Sequence, residues 1–276
     1  MDINKEKLKG SLYGLAIGDA LGVPYEFKPR DSFKATTLIG GGTWSQPVGT
    51  WSDDTSMTLA SYHALKENNW KVNPTLFKKH FLLWYYTECY TTHTNLFDIG
   101  GTTEQALLLG RGLSDFYSNG NGSLMRISPL IFADCTKEEI EEVSAITHAH
   151  ETSKQACTIY VGIGKELLKG KKLLDILKSN SYPNPFEQLN IVGNLKRDEI
   201  KSSSYVVDSL IAAIWVLLNT DNYKDAVLTA VNLGEDTDSI AAITGALAGI
   251  IYGYEEIPKE WINKIPNKEI LNEALI

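Results

Sequence analysis

Three observations predict an all-α, single-domain fold across residues 1–276. Apolar residues recur at spacings of three and four over most of the chain, the period of a helix face. Sustained apolar–polar alternation, the mark of a half-buried strand, is missing. No low-complexity linker or internal repeat divides the sequence, and its length suffices for a sizeable core.

Taken in order, Leu8, Leu12, Leu15 and Ala16 form the apolar stripe of an amphipathic helix, beside Gly10, Gly14, Gly18 and Gly22. Each glycine costs a helix on the order of 1 kcal/mol relative to alanine. So many on one face predict the close approach of another backbone or of a ligand. A helical run through Met57, Ala60 and Leu65 follows Trp51–Thr55. Asn73-Pro74 reads as a cap with proline at the first helical position, and Phe77, Phe81, Trp84 and Tyr85 then form an aromatic stripe expected to pack in the core. Thr136 and Glu139 make a capping box before Ile140, Val143 and Ile146. Ala156, Ile159, Tyr160, Ile163 and Leu167 mark another helix with Gly170 as its stop. Residues 180–204, polar and interrupted by Pro183 and Pro185, read as a long surface excursion. Val207, Leu210, Ile211, Ile214 and Leu217 give one more helix. The last strong one follows Asp238, with Ile240, Ile243, Leu247 and Ile251 on its apolar face and Gly245, Gly249 and Gly253 repeating the four-residue spacing.

Composition is that of an ordinary soluble globular protein, 43% hydrophobic and 22% charged. A net charge of -8 argues against a general polyanion binder, so no nucleic-acid partner is expected. Cys89, Cys135 and Cys157 are too few and too scattered for a disulfide framework or a zinc site. The charged start MDINKEKLKG carries no signal-peptide core, and no stretch of about eighteen apolar residues spans a membrane. A cytoplasmic location is the expectation.

Two acidic segments carry the chemistry. Trp51-Ser52-Asp53-Asp54-Thr55 and Glu235-Asp236-Thr237-Asp238-Ser239 each precede a helix. Asp, Ser and Thr cap helices, and the helix dipole favours negative charge at that end, but one cap needs one such residue. Paired aspartates flanked by hydroxyls at both places exceed that need and predict a shared metal site. An all-oxygen ligand set with no interleaved His or Cys suits Mg²⁺, Mn²⁺ or Ca²⁺ better than Zn²⁺. The second segment is no EF-hand, because Ile240 and Ala241 occupy the region of the required glycine. Two like charges about 4 Å apart repel by roughly 4 kcal/mol at an effective dielectric of 20, so gathered carboxylates call for cations. Gly120-Asn121-Gly122-Ser123-Leu124-Met125-Arg126 is a glycine-rich turn ending in a cation, a pattern that suits a phosphate and equally a plain turn.

The segments GLAIGDALGVPYEF, GTWSDDTSM, FDIGGTTEQAL, GNGSLMRISP, THAH and NLGEDTDS stand in the order and spacing of the ADP-ribosylglycohydrolases, and the chain most resembles their arginine-directed, dinitrogenase-reductase-activating type. The resemblance runs from about Gly10 to Gly253. It implies an orthogonal helical bundle around a binuclear Mg²⁺ or Mn²⁺ centre and removal of ADP-ribose from a modified protein side chain, with ADP-ribose as product. Carried over by position, the metal ligands are Ser52, Asp53, Asp54, Asp236, Asp238 and Ser239. Asp98 matches a carboxylate near the substrate ribose, and Glu26 a mobile-loop glutamate with catalytic or gating roles. Gly120, Asn121, Gly122, Ser123, Met125 and Arg126 match the loop that holds diphosphate and ribose, and His148 a ligand-contacting histidine. Ser52 and Ser239 replace threonines common in the family, and Glu235 stands where glycine is frequent, adding a charge beside the metals.

From these expectations follows hydrolysis of an N-glycosidic ADP-ribosyl-arginine bond, with Asp98 as the chemical carboxylate because a helix entrance mounts it more firmly than Glu26, which lies between Pro24 and Pro29. Rival readings are a hydrolase of serine-linked or O-acetyl-ADP-ribose and a non-catalytic ADP-ribose binder. Structural alternatives also stand: Asp98 as a cap for a helix from Thr102, His148 as a core histidine, Asp19 as a residue bonding nearby backbone, and His63, His80 and His93 as histidines without partners.

Overall fold

A computed structural model describes residues 4–93 and 95–275, so the first three residues of the charged N-terminal stretch lie outside the described residues. The α-helices run in the order α1 (Lys5–Gly22), α2 (Asp53–Glu67), α3 (Pro74–Thr87), α4 (Gly101–Leu109), α5 (Lys137–Ala145), α6 (Glu151–Leu168), α7 (Leu173–Lys178), α8 (Val206–Leu218), α9 (Tyr223–Val231), α10 (Thr237–Tyr252), α11 (Lys259–Lys264) and α12 (Lys268–Leu275). Among the described residues there is no strand, only isolated bridges such as Gly120 with Tyr205.

The glycine stripes decide the centre of the bundle. A Cβ on Gly10 would overlap the carbonyl oxygen of Gly249, one on Gly14 that of Gly245, one on Gly18 that of Ala241, and one on Gly22 the backbone of Asp238. Gly245 and Gly249 meet Gly14 and Gly10 in return. α1 and α10 therefore lie antiparallel in backbone contact, and the close neighbour that the stripe predicts is a helix. The amphipathic reading of α1 is corrected: from Gly10 to Gly22 it is buried all round, as is α10 from Thr237 to Ile250. Its buried polar residues do not mark a solvent face: Asp19 is bonded inside the core by the Ser52 and Thr55 amides, and Ser11 is small enough to sit among apolar neighbours.

Local signals explain the flanking helices. Asn73 Oδ1 accepts from the Thr75 amide at 3.1 Å and Pro74 opens α3. Phe77, Phe81 and Trp84 are fully buried. Both arms of the Thr136–Glu139 capping box are made, and Gly170 turns the chain with φ +81°. The 180–204 stretch differs from the surface excursion expected. It winds through three short 3₁₀ turns, with Tyr182, Phe186, Leu189, Val192 and Ile200 buried, and Trp215 of α8 donates to the Leu195 carbonyl at 2.8 Å. Its apolar residues fall at irregular intervals, which hides them from a periodicity search. His80 also has partners after all, lying 2.9 Å from Glu67 Oε2 and 2.8 Å from the Tyr90 hydroxyl. No described helix is long and apolar enough to cross a membrane.

Candidate active site

The α1–α10 contact brings the C-terminal end of one helix beside the N-terminal end of the other, and so places Asp19 next to the Asp236–Asp238 segment. Asp19 is wholly buried and docks a third helix there. Its Oδ1 accepts from the Ser52 amide at 2.9 Å and its Oδ2 from the Thr55 amide at 3.0 Å. The backbone that Asp19 bonds is thus remote in sequence, and it is the start of α2. Ser52 is the N-cap of α2, accepting from the Asp54 amide at 3.3 Å. Asp236 caps α10 without a side-chain bond to it. Capping therefore occupies Ser52 and leaves the aspartates over.

The two acidic segments meet. Ser52 Oγ and Ser239 Oγ both donate to Asp54 Oδ2, at 3.1 and 3.2 Å. Carboxylate oxygens of Glu26, Asp98 and Asp238 lie within 4.8 Å of one another. Ser52, Asp53, Asp54, Asp236, Asp238, Ser239 and Glu26 are all buried. Burial pushes every one of these carboxyls above its ordinary range, and negative neighbours add to it: Asp54 for Asp53, Asp19 for Asp54, Glu26 for Asp238. Glu26 is pushed up to about 7 by burial, with the Trp44 indole opposing and the Asp236 charge reinforcing. Asp98 is raised by burial and then by Asp238. Asp236 is raised by burial against the hydrogen bond from Asn121.

Asp54 Oδ1 and Asp238 Oδ2 are buried with no hydrogen-bond partner among the described residues. A buried carboxylate oxygen without a donor is costly, and here two such atoms, one from each segment, belong to a site built of oxygen ligands alone. The buried, all-oxygen chemistry of these residues fits hard divalent cations.

Above the floor opens a cavity of about 720 Å³, inside the roughly 300–1,000 Å³ range of small-molecule sites. Glu26, Asp53, Asp98, Asp236 and Ser239 form its acidic side, and Gly120, Asn121, Gly122, Met125 and His148 another. His148 is buried, its pKa lowered to about 3 by burial and then by the Arg126 charge, so it is neutral. Its ring rests so close to Gly122 that a Cβ there would meet His148 Cε1 at 2.6 Å.

Two residues of the glycine-rich turn stand elsewhere than expected. Arg126 does not line the cavity. Its guanidinium is 0% exposed, lies over the Phe81 ring at 4.2 Å and donates to Thr147 Oγ1 at 2.9 Å. Helix packing from α3 and the end of α5 turns it into the core, so it is no phosphate ligand in this arrangement. Ser123 likewise faces inward, accepting from Ser144 Oγ at 2.8 Å.

The expected ranking of mounts is also reversed. Asp98 caps nothing, since α4 begins at Gly101 with Gly100 as its N-cap. It sits in an irregular stretch with φ +60° and is only half-buried. Glu26 follows a 3₁₀ turn directly after α1, and its carboxylate accepts from Trp44 Nε1. The next residue, Phe27, donates its amide to the Glu235 carbonyl at 2.7 Å. Glu235 itself has φ +61°, the left-handed conformation that suits the glycine common there, and its side chain is exposed. Its charge therefore points away from the acidic floor rather than adding to it.

Sequence reasoning missed the aromatic wall. Phe27, Trp44, Phe97 and Tyr117 line the cavity, with Trp44 6.3 Å from Phe27 and 5.8 Å from Phe97 between ring centroids. All four lie in loops, where no periodicity announces them. It missed Asp19 as the anchor of α2, and it assigned Asn121 to the substrate without foreseeing that its side-chain amide donates to Asp236 Oδ2 at 2.8 Å.

A model of the ADP-ribosylglycohydrolase family matches residues 1–276. The chain is 38% identical over 280 residues to "ADP-ribosylarginine hydrolase Tri1" of Serratia proteamaculans (strain 568), covering 96% of this chain and 76% of that protein. It is 34% identical to the protein of the same name from Pseudomonas putida (strain GB-1), over 94% and 74%. It is 27% identical to "ADP-ribosyl-[dinitrogen reductase] glycohydrolase" of Rhodospirillum rubrum, over 95% and 91%. A solved structure titled "ADP-ribosylglycohydrolase-related protein complex" superimposes with a TM-score of 0.81 at 26% identity, over 100% of this chain and 98% of that one. With the whole length matched and the acidic segments meeting at one cavity, the chain belongs to the ADP-ribosylglycohydrolase family.

Proposed function

We propose that this chain is a hydrolase that removes ADP-ribose from arginine side chains of modified proteins, with two Mg²⁺ or Mn²⁺ ions held by Ser52, Asp53, Asp54, Asp236, Asp238 and Ser239. The observation that carries the reading is the meeting of two acidic segments, each with an unpartnered buried oxygen, at the base of a cavity. The names of the relatives favour arginine as the acceptor. The setting proposed for this activity is the cytoplasm.

When bound, the cations supply positive charge that compensates the buried carboxylates and Lewis acidity toward ribose hydroxyls and water. The chain's own groups do the rest. Gly120, Asn121 and Gly122, together with neutral His148, form the wall against which diphosphate and ribose lie, and binding energy there orients the reacting sugar. Cleavage breaks the bond between the anomeric carbon and the guanidine nitrogen through an oxocarbenium-like ribose, and a water oxygen replaces the nitrogen. Asp98 is the carboxylate assigned to take the water's proton, while the bonding pair leaves with the guanidine nitrogen, which takes up that proton so that arginine is released as its guanidinium. The assignment rests on access: Asp98 is half-buried at the cavity, whereas Glu26 is deeper and engaged by Trp44. Arginine-, serine- and acetyl-linked ADP-ribose, each offered to the Mg²⁺- or Mn²⁺-loaded chain, test the reading. Release from the arginine linkage is expected to be fastest, and preference for either ester or ether linkage would overturn the acceptor assignment.

A further inference from the structure

Asn121 stands in the glycine-rich turn, yet its side-chain amide is spent on the protein. Nδ2 donates to Asp236 Oδ2 at 2.8 Å and to Ser209 Oγ at 2.9 Å. Both hydrogens of that nitrogen are thereby engaged. A carboxylate only accepts, which fixes which end of the amide faces Asp236. Ser209 is fully buried in α8, away from the cavity, and its hydroxyl donates onward to the Ser203 carbonyl at 3.0 Å. Backbone bonds lock the same region: the Asn121 amide donates to the Ser204 carbonyl at 2.9 Å and the Val206 amide to the Asn119 carbonyl at 3.1 Å. Asp236, by contrast, makes no side-chain bond to the helix it caps.

We propose that Asn121 is a positioning residue that sets the orientation of Asp236, with Ser209 holding Asn121 in turn, so that the glycine-rich turn and the cation-binding floor are one rigid unit. The inference rests on the divalent-cation reading of that floor. A donor behind a ligating carboxylate fixes which oxygen is presented and in what direction, and losing such a partner weakens metal affinity by roughly 10–100-fold.

The test is calorimetric titration of Mn²⁺ into the metal-stripped full chain and into Asn121→Ala and Ser209→Ala, followed by ADP-ribose titration at saturating Mn²⁺. Asn121→Ala is expected to weaken Mn²⁺ binding roughly tenfold or more, and the control of unchanged ADP-ribose affinity at saturating Mn²⁺ is read in Ser209→Ala, which lies off the cavity. Ser209→Ala, off the cavity, is expected to weaken Mn²⁺ binding in the same direction by a smaller factor, and it carries the test if Asn121→Ala does not fold. Unchanged Mn²⁺ affinity in both variants, or a loss of ADP-ribose affinity alone in Asn121→Ala, overturns the inference and makes Asn121 a substrate contact. Absence of Mn²⁺ binding by the unaltered chain overturns the cation reading and this inference with it.

Discussion

Divalent cations should stabilise this fold far more at pH 8 than at pH 5.5. Burial raises the pKa of Glu26 from 4.5 to about 7, and those of Asp53, Asp54, Asp98, Asp236 and Asp238 rise as well. A group whose folded pKa is raised stabilises the cation-free fold fully below its unfolded pKa, and that stabilisation is lost as pH climbs through the folded value. For Glu26 the window runs from 4.5 to about 7. Cations must displace these protons, so proton competition weakens them at the acid end. One pKa unit is about 1.4 kcal/mol, so at pH 5.5 Glu26 alone opposes cation binding by about 2 kcal/mol and at pH 8 by almost nothing. At about 2–4 °C per kcal/mol, the cation-induced rise in Tm should be at least about 4 °C larger at pH 8, with the aspartates adding to it. His63 and His148 have pKa values lowered to about 4 and about 3. Their contribution has the opposite sign, being lost as pH falls below the unfolded value, but it enters the cation-free and loaded arms alike and cancels in the difference. Scanning calorimetry in EDTA and in excess Mn²⁺ at both pH values measures this, and an equal Tm rise at the two would refute the reasoning.

Four substitutions probe other parts of the account. Gly18→Ala puts a methyl group into the Ala241 carbonyl; overpacking of that kind costs about 1–3 kcal/mol, and urea unfolding should show it together with weaker Mn²⁺ binding, whereas a wild-type midpoint would contradict the helix contact. Arg126→Met keeps bulk beside Phe81 but removes the charge, and ADP-ribose affinity should hold within about threefold rather than drop by the 1.5–3 kcal/mol that a lost charged bond to the diphosphate costs; a drop of that size at unchanged Tm would show the guanidinium reaching the ligand. Asp98→Asn should lower kcat on an arginine-linked substrate by on the order of 10²-fold or more while ADP-ribose still binds, with Glu26→Gln milder; the reverse ranking would make Glu26 the base.

The paired aspartates were legible because they outnumber what two helix caps require, and the glycine stripes because four glycines at one spacing are too costly to be accidental. The stripes did not say whether backbone or ligand fills them, since a glycine face accommodates either. The amphipathic reading of α1 failed because Ser11 and Asp19 look like solvent-facing residues while both are buried. The direction of Arg126 was not readable from its turn; Phe81 and Thr147, distant in sequence, determine it. Phe27, Trp44, Phe97 and Tyr117 come from separate loops, and nothing local links them to a common cavity. The relative firmness of Glu26 and Asp98 was misjudged because prolines and a nearby helix start are weaker constraints than the Trp44 and Glu235 contacts that hold the Glu26 segment.

The most direct measurement is release of ADP-ribose from an arginine-linked substrate by the full chain after EDTA treatment, before and after Mg²⁺ or Mn²⁺ is added back. The account expects negligible release from the stripped chain, recovery with either cation, and little recovery with Zn²⁺ alone. Full release by the metal-free chain would contradict it, as would a loaded chain that binds ADP-ribose yet leaves the arginine linkage intact.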